Sequence, residues 1–280
     1  MRIPVIQRYF SEDIFAIIKP HFRFLVETVV RSGFEYDLQL RDNYFNLYCK
    51  GNSIGKISYL TTKQLYKIEI NYKFISDKII ARFKPQKDKN DYLVFRLSRK
   101  QLHLLFSSAN LLSMANRVKK VNYQEETAFE QMLMTDNIGR SDLIIIDRQV
   151  ADTKHRTKMD LLALIRKKNN DYQFCVLEVK LGNNPELRGD VVEQLEGYKK
   201  RISENFPDYK VCYQMNFIQK QELGLLNDSL TVNIVPDVLG VVVVGGYSGI
   251  AEKSIKKLKR KAPNIKVLQL KNKIDLSKAI

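Results

Sequence analysis

The spacing of apolar side chains changes character twice along the chain. Ser11 followed by Glu12 and Asp13 marks a helix start, with acids where the positive end of the helix dipole favours them. Ile14, Ile17 and Ile18 would face inward until Pro20, which lacks the N–H that a helix interior uses and is predicted to break or kink it. A second short helix over 21–31 then ends near Gly33. From Tyr36 the spacing becomes an alternation. YDLQL, YFNLYC, IGKISYL and LYKIEINYK are rich in aromatic and β-branched residues, and Arg41-Asp42-Asn43 and Lys50-Gly51-Asn52-Ser53 supply turns between them. They predict an antiparallel sheet of about four strands. Residues 84–91 form a charged loop, YLVFRL at 92–97 a further strand, and a helix runs from Ser98 or Arg99 to about Arg117.

The boundary of a second module is placed at 118–123, giving a basic α+β domain over 1–120 and a second domain over 121–280. A helix from Gln124 would turn Phe129, Met132 and Leu133 to a core, and Asn137-Ile138-Gly139 ends it. Three nearly continuous apolar runs follow at 142–150, 159–166 and 172–181, the pattern of strands covered on both faces. The tetrad Lys168-Asn169-Asn170-Asp171 makes a hairpin of the last two. A loop at 182–186 leads to helices at about 187–205 and 208–226. VLGVVVVGG then reads as a buried strand, 250–261 as a basic helix, and IKVLQL as a last strand. The order α-β-β-β-α-α-β-α-β predicts a three-layer α/β sandwich around a mixed sheet.

Charge narrows the function. The 47 Lys+Arg against 31 Asp+Glu give +16, and residues 1–120 hold 22 of the bases but 10 of the acids. Such an excess suits a polyanionic partner, nucleic acid before an acidic membrane surface. Tyr and Phe are interleaved with Lys and Arg in the first module, a pairing suited to stacking on bases. Cys49, Cys175 and Cys212 are odd in number and lack a CxxC, so neither a disulfide framework nor a zinc site is expected. The charged N-terminal stretch MRIPVIQRYFSEDIF is unlike a signal peptide, and the longest aliphatic block is far short of the ~20 residues of a membrane helix. A cytoplasmic protein with no membrane partner is expected. Without a Gly-rich loop ending in Gly-Lys-Ser/Thr, no ATPase is visible.

The candidate chemistry lies between 159 and 198. Phosphodiester hydrolysis needs charge neutralised on the phosphate and a water made nucleophilic, both of which a carboxylate-held divalent cation supplies. Asp160 opens one strand and Glu178 closes the next, so a short turn lets them meet at one end of the sheet. Glu178 and Lys180, two apart on a strand, share a face; Val179 points the other way. Gln194 and Tyr198, four apart on a helix, share another. Arg156 and Lys158, with His155, could contact a phosphate. His21 and His103 sit in apolar surroundings and read as packed residues, and Ser248 lacks the second glycine of a nucleophile elbow.

Asp160 followed by Glu178-Val179-Lys180 resembles the PD-(D/E)XK nuclease core, although Met159 stands where the family's proline would be. Gln194-Leu195-Glu196-Gly197-Tyr198 is similar to the QxxxY helix of the RecB-like and lambda-exonuclease-like branches. Glu126 matches the acid on the helix before the three strands, with Glu125 and Glu130 as rivals. The resemblance covers roughly 121–270. It implies a restriction-endonuclease-like fold and a Mg²⁺-dependent DNA nuclease, with Mn²⁺ able to substitute. Asp160 and Glu178 would hold the metal, Lys180 position or activate water, Glu126 support the metal or water shell, and Gln194 and Tyr198 hold substrate or geometry. An endonuclease of defence, restriction or repair, as a homodimer or in a larger complex, is the expectation; a non-cleaving DNA binder on the same scaffold is the alternative.

Overall fold

A computed structural model describes residues 4–122, 124–154 and 157–271. They form an α/β protein with eight α-helices and two sheets, one antiparallel of six strands and one mixed of five, among the described residues. The chain divides into two compact units. The first comprises 7–136 together with 212–230, and the second is the remainder of the described chain. This differs from a division near 120. The stretch 212–230 returns to the first unit because its side chains are spent there. Leu223 and Leu225 join that unit's core. The Gln219 carboxamide pairs with both the N–H and the carbonyl of Phe10, and Lys220 donates to Gln39 at 2.8 Å.

In the first unit α1 (Glu12–Arg31) precedes β1 (Tyr36–Arg41), β2 (Tyr44–Cys49), β3 (Asn52–Leu60) and β4 (Leu65–Asn71). Then come α2 (Asp77–Phe83), β5 (Gln86–Lys87), β6 (Tyr92–Leu97), α3 (Arg99–Leu105), α4 (Ser108–Val121) and α5 (Glu125–Asp136). The strand order is β1-β2-β3-β4-β6-β5, antiparallel throughout.

Pro20 does not divide α1. Phe15, Ile18, Phe22, Leu25, Val26 and Val29 form one buried stripe across it, and that burial outweighs the lost backbone bond. Ile14 and Ile18 face inward as expected, joined by Phe15, while Ile17 is exposed. A single helix to Arg117 is also corrected, since the chain breaks at Phe106–Ser107 into α3 and α4. Ser98 opens α3 through a capping box with Gln101, as its sequence suggests. On α5, Phe129 is buried but Met132 is 53% exposed.

The second unit carries β7 (Leu143–Val150), β8 (Met159–Lys168), β9 (Asp171–Leu181), α6 (Asp190–Glu204), β10 (Asn233–Gly245), α8 (Ser248–Lys261) and β11 (Lys266–Gln269). Between α6 and β10 lies α7 (Phe206–Glu222), whose residues are divided between the units at 211/212. The sheet order is β11-β10-β9-β8-β7, with β10 parallel to both β9 and β11 and the rest antiparallel. β9 lies at the centre and is buried from Tyr172 to Lys180, as its apolar run predicts. β7, although almost as apolar, is an edge strand. The helix expected over 187–205 is two pieces, a 3₁₀ turn at Pro185–Arg188 and then α6. Pro236 is accommodated in β10 beside a register shift between Val235 and Val238, where a missing N–H costs least.

Gly240 decides how α6 seats. It pairs with Val176 on β9, and a Cβ there would lie 2.8 Å from Leu195 Cγ and Lys199 Cδ of α6. The bare backbone lets the helix descend onto this face of the sheet. Gly240→Val should therefore push α6 off β10 and cost about 1–3 kcal/mol of stability, read as a lower urea midpoint with unchanged slope.

Candidate active site

The pairing register brings the predicted carboxylates together. Leu161 stands opposite Leu177 and Leu162 opposite Val176 on the antiparallel β8–β9 pair, so one further step opposes Asp160 to Glu178 on a shared face. Asp160 accepts the N–H of Val179 at 2.9 Å, which ties its carboxylate to the end of β9. On the parallel side Glu178 pairs with Val242 and Lys180 with Val244, in the same alternation as Gly240. Asp160, Glu178 and Lys180 thus share the face that α6 covers.

Glu178 and Lys180 are deeply buried, at 2% and 6% exposure, and their charged ends meet at 2.9 Å. Burial pushes the Glu178 carboxyl up to about 8, reinforced by the negative charge of Asp160 and opposed by Lys180. Burial by itself would lower the Lys180 ammonium, but Glu178, then Asp160 and Glu186, outweigh it and hold the amine protonated. Glu186 escapes sequence reading. It lies in the 3₁₀ turn, its N–H donates to Asn184 at 3.0 Å, and its Oε2 lies 2.9 Å from Lys180 Nζ. Its only sequence signal is the Asn184-Pro185-Glu186 turn start next to the expected loop.

α6 supplies the cover. Val191, Leu195, Tyr198 and Ile202 are its buried stripe, and Gln194 lies one turn before Tyr198. The Tyr198 hydroxyl donates to the carbonyl of Lys158 at 2.9 Å. Burial, then the charges of Glu178 and Asp160, push that hydroxyl up to about 12, which keeps it protonated as a donor. Two buried acceptors on this face have no hydrogen-bond partner, Glu178 Oε2 and Gln194 Oε1. Buried polar atoms without partners are rare and costly in a finished fold, so both are suited to a group that binds there.

The loop before β8 is held by a second charged cluster. Arg201 donates to the Thr157 carbonyl at 3.0 Å and hydroxyl at 2.7 Å, and its Nε lies 3.5 Å from Asp152. Tyr209 donates to the same Asp152 oxygen at 3.1 Å. These bonds fix the chain that carries Lys158, whose own side chain is exposed, into Asp160. Arg156 and His155 lie outside the described residues.

Glu126 is in the first unit, half-buried on α5, and its rival Glu130 is the buried one there. His21 bonds Tyr66 and His103 stacks on Phe24, so both are packed residues as expected. Ser248 opens α8 with a buried hydroxyl.

The donor set fits a hard divalent cation. Asp160 and Glu178 offer two carboxylates, and Mg²⁺ is usually held by one or two of these with water and phosphate oxygens filling the rest. No cluster of three or more His, Cys, Asp or Glu that could hold a metal occurs among the described residues. Comparison with protein-family models, with curated proteins and with solved structures finds no match to this chain.

Two stability tests follow from this geometry. The raised Glu178 carboxyl contributes stability to the metal-free fold that is fully present below about pH 4.5 and is lost as pH rises through about 8. Thermal melts of the metal-free protein should show this fall, and Glu178→Gln should flatten it. Arg201→Ala removes the cation beside the buried Asp152 carboxylate together with both bonds to Thr157, and should cost about 3–5 kcal/mol in urea unfolding.

Proposed function

We propose that the second unit is a PD-(D/E)XK nuclease with a restriction-endonuclease-like α/β sandwich, cutting DNA phosphodiester bonds as an endonuclease. The observation that carries this reading is the opposition of Asp160 and Glu178 across β8 and β9 with the Lys180 amine against Glu178. The element order β7-β8-β9-α6 and the position of Gln194 and Tyr198 over the same face support it. The +16 charge of the chain supports a nucleic-acid substrate. Asp160 and Glu178 would hold Mg²⁺ or Mn²⁺, which when bound neutralises phosphate charge and makes water acidic enough to attack at neutral pH.

The side chains have separable tasks. Asp160, anchored by Val179, fixes one carboxylate in place. Glu178 presents its unpartnered Oε2 while Lys180 occupies the other oxygen. Lys180, kept protonated by three acids, supplies a positive hydrogen-bond donor that can orient a phosphate oxygen or the attacking water. Gln194 offers a polar group at the face, and Tyr198 holds the Lys158 carbonyl and thereby the start of β8. The basic first module would grip DNA. Among the described residues no helix is long and apolar enough to cross a membrane.

Circular and linear plasmid, incubated with Mg²⁺, with Mn²⁺ and with chelator, test the reading. Circular DNA should be cut only with metal. Asp160→Ala should abolish cutting and Lys180→Ala reduce it by about 10²–10⁴-fold, both with DNA binding retained. Cutting by either variant at the wild-type rate would exclude this site. The ion pairs from Lys180 to both Glu178 and Glu186 favour one alternative, a DNA binder that does not cleave; wild-type protein that binds DNA but leaves it uncut in both metals would establish that instead.

A further inference from the structure

α8 presents an unusual surface. Among its fourteen residues are six cations and one acid, and that acid, Glu252, pairs with Lys271. Ala251, Ile255 and Leu258 bury the inner face. Lys253, Lys257 and Arg260 recur at i, i+4 and i+7 on the opposite face, exposed, with Lys256 and Lys259 beside them. None of these five has an ion-pair partner among the described residues. A helix dipole favours cations in the last turn, which accounts for 259–261 but not for Lys253, Lys256 and Lys257.

We infer that the outer face of α8 is a docking surface for the sugar-phosphate backbone of duplex DNA, placed to hold the strand that enters the proposed site. The inference rests on the nuclease reading for its substrate, but its geometry is independent. Lys261 at the end of α8 donates to the Arg188 carbonyl at 2.9 Å. That carbonyl belongs to the 3₁₀ turn whose Glu186 contacts Lys180. The cationic face therefore leads to the turn that borders the candidate carboxylates. Seven residues of helix rise about 10 Å, so the Lys253–Arg260 row matches roughly three phosphates at about 3.4 Å of axis per strand position.

A lipid surface fits less well. An interfacial helix inserts its apolar face, and the apolar face of α8 is already spent against the fold. Contacts to phosphate alone carry no base information, so this surface would add affinity without sequence preference.

Fluorescence anisotropy with a short labelled duplex in chelator, across a salt series, tests the inference without requiring cleavage. The triple variant Lys253→Gln, Lys257→Gln, Arg260→Gln alters only exposed side chains and should keep the wild-type melting curve. Its slope of log affinity against log salt should be shallower by about 2–3, at about 0.9 per phosphate contact. The charge-keeping triple Lys253→Arg, Lys257→Arg, Arg260→Lys should restore the wild-type slope. An unchanged slope in the glutamine triple overturns the inference, whatever the cleavage assay shows. Unchanged DNA binding with lost binding to phosphatidylserine vesicles overturns it in favour of a membrane surface. The expected loss of slope in a protein that cuts no DNA upholds the surface and rejects the nuclease.

Discussion

A carboxylate and an ammonium lie side by side on the central, most deeply buried strand of the second unit, where neither can be held out of water without the other. Taking either charge out of water costs several kcal/mol unless it is paired and hydrogen-bonded. Glu178 and Lys180 satisfy that condition for each other through one oxygen at 2.9 Å, and Glu186 adds a second acid to the amine. The pairing is incomplete. Glu178 retains a second oxygen without a partner, next to an Asp160 that raises the cost of its charge. Replacement by aliphatic side chains would suit stability alone. An arrangement that keeps two acids and one base together at a sheet end is the feature on which the proposed function rests.

The surroundings of the pair work to one end. β9 can be buried on both faces because its apolar residues alternate with the charged ones only at its last turn of sequence, and β10 and β8 flank it. The bare Gly240 admits α6, which brings Leu195 against the sheet and Tyr198 within reach of the Lys158 carbonyl. Arg201, one turn beyond Tyr198, holds the loop before β8 by both Thr157 atoms. One helix therefore covers the face that carries the carboxylates and pins the backbone from which Asp160 departs. Helix and strand hold these groups in place, and the 3₁₀ turn beside them is tied to α8 through Lys261.

The first unit solves a different packing problem. A twenty-residue helix with a proline in its middle persists because six large apolar side chains on one face are buried along its length. The strands it accompanies bury aromatics such as Phe45 and Tyr66, each of which packs against Phe22, and even one strand base, Arg41, is buried. Aromatic residues interleaved with bases in the sequence are thus in part core rather than stacking surface. The cationic character survives in the exposed side chains.

The sequence alone determined the elements around the candidate site and which of its side chains share a strand or helix face. Nearly continuous apolar runs and turn chemistry placed β8, β9 and the hairpin between them, period-two spacing put Glu178 and Lys180 on one face, and i, i+4 spacing put Gln194 beside Tyr198. These are local consequences of strand and helix geometry, and they need no knowledge of the rest of the chain. Long-range packing decided what local geometry could not. Pro20 stayed inside a helix because burial outweighed propensity, and Met132 faced water because α5 turned a different side to its core. Residues 212–230 returned to the first unit because Gln219 and Leu223 found partners there, 200 residues away for Phe10 in round numbers. Glu186 met Lys180 only because a turn folded back over the end of β9. Spacing says which side chains share a face; only the completed packing says which faces meet, because that is settled by burial and by charges that must find partners out of water.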